Sequence, residues 1–200
     1  MMIFLRYESF REYLKQFPVT AALIAVNILV FIIDLLSGHT LLDKGLFYSH
    51  PEYNPYGMSE PWRYITAVFL HQGFEHLFFN MIAILIFAPP LERMLGHVRY
   101  GVFFIASGMA GFLLSGIVEP ITGGVGASGG IYGLYGAYFY LAIMKKALDP
   151  ASRKTVYMIL IIGLIMSVLI PGIGFWGHIG GLFAGFLFAY GYDWYLMKKR

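Results

Sequence analysis

The chain has 200 residues, of which 58% are hydrophobic and only 12% charged, with a mean hydropathy of +0.69. Soluble domains carry about 25% charged residues, so this composition excludes an ordinary soluble enzyme and points to a single-domain polytopic membrane protein. Cysteine is absent, which removes disulfides, thiolate nucleophiles and cysteine-based zinc sites. No basic, aromatic-interleaved stretch lies outside the apolar segments, so no nucleic-acid partner is expected.

Residues 1–17 mix Arg6, Arg11 and Lys15 with Glu8 and Glu12 and read as a short cytosolic segment, amphipathic on the membrane surface. The apolar run that follows is too long for a signal-peptide core and lacks an A-x-A-like exit. Runs of membrane-crossing length, about 17 to 25 residues, predict six spans near 18–37, 71–91, 100–118, 128–144, 155–170 and 178–197. The 38–70 segment is the one long connection, polar and rich in Pro, Gly and Tyr, and a loop of that length is usually functional or disordered. Twelve of the fourteen Lys and Arg residues fall in residues 1–17, the 92–99 and 145–154 loops and the 198–200 tail, leaving only Lys44 and Arg63 on the other side. By the positive-inside rule both termini are cytoplasmic. The expectation is an all-α bundle of six transmembrane helices over 18–197, with a basic cytosolic tail at 198–200.

In that topology the second, fourth and sixth spans all run from outside to inside, so their first residues share one level. Those residues include His71, His76, Ser128 and His178. A rise of 1.5 Å per residue puts Ser128 about 26 Å above the Lys145 end of its span and His178 about 30 Å above Lys198. A serine in a membrane helix usually bonds back to its own backbone. Ser128, however, follows Gly126 and Ala127 at a helix start, where free N–H groups and the positive dipole end suit an oxyanion. His178 is an ionisable group within a span, which is a functional hypothesis by default, although a buried neutral histidine is also a common structural residue.

Gly129, Gly133 and Ala137 in the fourth span match Gly177, Gly181 and Gly185 in the sixth at four-residue spacing. Such stripes let two backbones approach closely in lipid, which would bring Ser128 to His178. Tyr132, one turn below Ser128, would then brace the imidazole by stacking, or simply sit in an interface belt. His76 and Asn80 share a face and both donate to an oxyanion. His71, five residues earlier, would point about 140° away on a continuous helix, with Glu75 as its i,i+4 partner. Two histidines at that spacing are wrong for zinc. No carboxylate is tied by spacing to His178, Glu119 and Asp34 included, so the simplest reading is a Ser–His dyad whose histidine is held by packing.

These residues, in this order, resemble the rhomboid family of intramembrane serine proteases. "EPWRYITAVFLHQGFEHLFFN" is similar to the family's loop Trp-Arg followed by His-x4-His-x3-Asn, "GASG" to its nucleophile motif, and "GHIGGLFAG" to its last motif. The resemblance implies that Ser128 is the nucleophile and His178 the general base. It places His76, Asn80 and the Ser128 N–H in an oxyanion hole, Tyr132 beside His178, His71 in support of the second span, and Gly126 and Gly129 around the serine. Trp62 and Arg63 are implied to be structural in a loop lying sideways in the membrane. Glu92 matches an acid that ties the following loop, although the arginine expected two residues on is Met94, with Arg93 next to the acid instead. Implied partners are single-span membrane protein substrates and the lipid bilayer, with no cofactor and no metal, in a prokaryotic plasma membrane with the site open to the outer face. The alternatives are an inactive rhomboid-like protein that binds membrane clients, and a channel or transporter. The latter is opposed by the lack of an internal repeat and of a polar path through the inner halves of the spans.

Overall fold

The computed structural model describes residues 3–198; Lys199 and Arg200 of the expected basic tail lie outside the described residues. The first helix, α1 (Phe10–Gln16), opens with a reciprocal capping box between Ser9 and Glu12. The amino-terminal stretch is tied to the bundle through its two ends. Phe17 is fully buried, Phe4 meets Phe87 and Tyr138 edge-on, and the Ile3 N–H donates to Ser152 Oγ at 3.1 Å.

Helix α2 (Pro18–Leu36) begins on a proline, which suits the first turn because its missing N–H would have no intrahelical acceptor there. The next two N–H groups, of Val19 and Thr20, donate to the carboxylate of Glu92 at 3.0 and 2.8 Å, and Thr20 Oγ1 adds a third bond at 2.5 Å. Glu92 belongs to α5 (Phe74–Leu95) and is fully buried. Its fourth partner is His97 Nδ1 at 2.7 Å, from the first residue of α6 (His97–Val118). One carboxylate thus joins three helices, and the cation the sequence leaves next to it is not its partner. Arg93 turns instead to Gln16 at 2.8 Å and Glu8 at 3.9 Å.

Helix α5 starts at Phe74, three residues later than the apolar run suggests, because Gly73 is fully extended (φ −171°, ψ 165°). It runs on through Pro89 and Pro90 to Leu95. Pro89 removes the N–H that would have bonded Leu85, and that carbonyl accepts from Tyr13 Oη at 3.2 Å.

The 38–70 connection is ordered into α3 (Thr40–Gly45), a short strand β1 (Phe47–Ser49), a 3₁₀ turn (Pro55–Gly57), α4 (Arg63–Thr66) and a second 3₁₀ turn (Ala67–Phe69). Arg63 is its internal tie. The guanidinium donates to the Asp43 and Leu46 carbonyls at 3.2 and 2.9 Å and to Glu60 at 3.0 Å, and it lies over the Tyr48 ring. That guanidinium holds the Glu60 carboxyl below its ordinary range. At the end of α2, buried Asp34 accepts from His39 at 2.9 Å and from the Leu42 N–H at 2.7 Å, joining α2 to α3.

A purely helical reading misses one element. β1 pairs antiparallel with β2 (Thr122–Gly124), in the register Phe47 with Gly124, Tyr48 with Gly123 and Ser49 with Thr122. After β2 come α7 (Ser128–Ile143), α8 (Pro150–Leu169) and α9 (Phe175–Lys198). Asp149 caps α8 by accepting from the N–H groups of Ala151 and Ser152. Among the described helices, α2, α5, α6 and α8 are long and apolar enough to cross a membrane. α7 has 16 residues and α9 is rich in glycine. Nearly every α7 residue from Gly129 to Tyr138 is buried, so its outer surface is supplied by neighbours. The chain is a helical, polytopic integral membrane protein.

The glycine stripes of α7 and α9 meet. A Cβ on Gly181 would strike the Gly129 carbonyl, and one on Gly185 the Gly133 carbonyl. Gly177 leaves that seam and faces α6, where its carbonyl occupies the space of a Gly111 side chain. Gly108 of α6 in turn abuts the Gly129 backbone, so three helices converge through glycines. Gly181→Ala should therefore destabilise the fold by about 1–3 kcal/mol through overpacking. Gly191→Ala, in the same helix with open space around it, should leave the unfolding midpoint in detergent unchanged or higher.

Candidate active site

Ser128 is the first residue of α7, so its own N–H and those of Gly129 and Gly130 precede the first intrahelical bond, Ile131 N–H to Ala127 at 3.0 Å. The approach to that start is fixed from outside the helix. β2 is held by β1, and the Gly126 N–H donates to the Ala67 carbonyl at 2.8 Å. Gly126 has φ +124°, a conformation side-chain-bearing residues rarely adopt, and a Cβ there would lie 2.7 Å from Cε1 and Nε2 of His76 and 3.8 Å from Ser128 Oγ. The imidazole edge of His76 therefore occupies the space a side chain would take, beside the serine.

His178 lies in the first turn of α9, buried, with its ring stacked on Tyr132 at 4.0 Å and 10° between planes. The seam that packs Gly181 onto Gly129 brings the start of α9 to the start of α7. Ser128, Tyr132 and His178 line one cavity of about 770 Å³ together with His76, Asn80 and Gly126. Ser128 is half-buried there, and its hydroxyl makes no side-chain hydrogen bond among the described residues. A long or absent bond of this kind is ordinary for a resting site. Asn80 donates from Nδ2 to the His76 carbonyl one turn back, at 2.9 Å.

Two expectations fail at the start of α5. His71 precedes the helix, so helical geometry does not separate it from His76, and the two rings meet edge-on at 4.8 Å. Nor does Glu75 pair with His71: the carboxylate is exposed while the imidazole is buried at 2% exposure. Neither of the two acids considered for His178 is hydrogen-bonded to it. Asp34 is committed to His39 and Leu42, and Glu119 sits at the cavity rim beside Thr122.

The rhomboid domain pattern matches residues 58–194, a stretch that contains His71, His76, Asn80, Gly126, Ser128, Tyr132 and His178. The chain belongs to the rhomboid family. It is 33% identical over 193 residues to "Putative rhomboid protease YdcA" of Bacillus subtilis (strain 168), covering 94% of this chain and 95% of that one. It is also 33% identical to Rhomboid protease GluP of the same organism, over 85% of this chain and 34% of GluP. Rhomboid-related protein 2 of Mus musculus matches at 33% identity over 74% of this chain and 54% of its own length. The chain thus spans nearly all of one of these rhomboids, about a third of the second and about half of the third.

In this rhomboid one site residue escapes a reading of the sequence. Ser167, near the end of α8, lies 2.6 Å from His178 Nδ1 and 3.4 Å from Tyr132 Oη. A lone serine among isoleucines and methionines carries no spacing signal towards a histidine eleven residues on, across a turn. Its position in a span was the one available hint. Gly126→Ala, where the new methyl meets both the strained backbone and the His76 ring, should lower the unfolding midpoint in detergent by a few degrees.

Proposed function

We propose that this rhomboid is an intramembrane serine endopeptidase that uses a Ser128–His178 dyad. The supporting observation is the shared cavity, in which one serine at a helix start and one stacked, buried histidine are surrounded by the donors His76 and Asn80. Relatives named as proteases in two bacterial cases support the same reading.

Ser128 Oγ attacks the carbonyl carbon of the scissile peptide while His178 takes its proton through Nε2. The oxyanion that forms accepts from the Ser128 N–H, His76 and Asn80, with Asn80 swinging away from its own-helix carbonyl to do so. Collapse breaks the C–N bond as His178 returns the proton to the leaving amine. Water then attacks the acyl-enzyme, again losing its proton to His178, and Ser128 is regenerated. Every proton is carried by a residue of this chain.

The substrates are single-span membrane proteins cut near the outer leaflet, after the target helix unwinds locally to expose a carbonyl. In this reading α7 and α9 complete a six-span topology with both termini in the cytoplasm, which accords with the asymmetry of the cations. The site then opens on the outer face of a prokaryotic plasma membrane. Irregular backbone such as 122–127 is tolerated at that depth because it lines the cavity.

Ser128→Ala and His178→Ala should each abolish cleavage with the fold intact. Purified protein in detergent should be labelled by a fluorophosphonate at Ser128, and His178→Ala should lose that label. Absence of labelling in a well-folded wild type would overturn the protease in favour of a client-binding protein. Asn80→Ala should lower the cleavage rate by about ten- to a thousandfold, as one oxyanion donor among several.

A further inference from the structure

We propose that Ser167 is the positioning residue of the general base, holding His178 as the Nδ1–H tautomer so that Nε2 is the basic nitrogen. This rests on the dyad reading and extends it to a third side chain, on a third helix. The deciding observation is how the single Ser167 proton is spent. Ser167 Oγ donates to the Gly163 carbonyl one turn back, at 2.7 Å. A hydroxyl has one proton and two acceptor sites, and the Gly163 carbonyl can only accept; with the proton spent there, the oxygen accepts from His178 Nδ1 at 2.6 Å. The proton in that bond belongs to the imidazole. Tyr132 Oη, at 3.4 Å, is placed to give the second acceptor site a weaker donor. With Nδ1 protonated, Nε2 carries the lone pair.

The same arrangement serves the second half of the proton cycle. When His178 holds two protons, the Nδ1–H bond to Ser167 persists and becomes charge-assisted. A carboxylate in this place would orient the ring equally well, but it would have to be buried as a charge inside the bundle, which its desolvation opposes. A hydroxyl whose proton is locked onto a backbone carbonyl accepts like a carboxylate and brings no charge. Ser167 and His178 are both buried, at 4% and 8% exposure, so water does not compete for this bond. A serine that bonds back to the i−4 carbonyl is ordinary in a membrane helix, whereas the short contact to the imidazole is not part of that habit.

Ser167→Thr and Ser167→Val have the same shape and differ by the hydroxyl, so comparing them isolates it. Thr should keep kcat for a transmembrane substrate within about threefold of wild type. Val should lower kcat by about ten- to a hundredfold, part of what a positioned general base supplies, with KM little changed. Fluorophosphonate labelling of Ser128 should slow in parallel. If Val fails to fold, Ser167→Ala takes its place, with Ser167→Cys as the weak-acceptor control. In ¹⁵N-histidine-labelled wild type, the His178 resonance, assigned by its loss in His178→Ala, should show a protonated Nδ1 and an unprotonated Nε2. A protonated Nε2 in wild type, or a Val variant as active as Thr, would overturn the positioning role while the protease stands. A wild type that neither labels nor cleaves would overturn the protease itself, and the positioning role with it.

Discussion

The contact on which the site depends is the one between two backbones. Helices α7 and α9 lie so close at Gly129–Gly181 and Gly133–Gly185 that a carbonyl of one fills the place of a side chain on the other. In lipid there is no hydrophobic drive to press helices together, so such an approach is stabilised by dispersion between closely fitted atoms. Because Ser128 and His178 are both in the first turn of their helices, the seam that fits the backbones also aligns the two side chains. The placing of the serine beside the histidine is thus a by-product of glycine packing, to which the Tyr132–His178 stack adds a side-chain contact across the same seam.

Two further ties fix what the seam leaves free. The start of α7 is anchored by the β1–β2 ladder and by Gly126 N–H on Ala67, so the loop between the first two long helices becomes part of the wall around the serine. Arg63 and Asp34 give that loop its rigidity by using backbone carbonyls and N–H groups as partners. At the other end of the bundle, Glu92 satisfies first-turn N–H groups of α2 that have no intrahelical acceptor and pins α5 and α6 to them. A buried carboxylate is tolerable there because four donors surround it.

The sequence made the long helices legible, since membrane length and apolarity are set by composition alone. The glycine seam was legible too, because its four-residue period leaves few registers. What could not be read were contacts made across the chain by ordinary residues. The β1 strand is three residues of mixed polarity with a glycine-rich partner some 75 residues away, so no alternation announces it. His71 was placed wrongly relative to His76 because the helix start depends on the extended backbone of Gly73. The apolar run continues through that point, which hides it. Ser167 is one hydroxyl in an apolar helix, and its importance comes from where α8 lies.

That position has a further consequence. Helix α8 presents Ile161, Ile162, Ile165, Val168 and Leu169 outward, and its outer half is held mainly by Gly163 against Tyr132 and by Ser167 against His178. Any displacement of α8 at this end would break both contacts together. On the proposed role of Ser167, an imidazole released from it would exchange tautomers through water, and part of its population would present the serine with a protonated nitrogen. The width of the cavity and the tautomer of the proposed base would then be coupled through one hydroxyl.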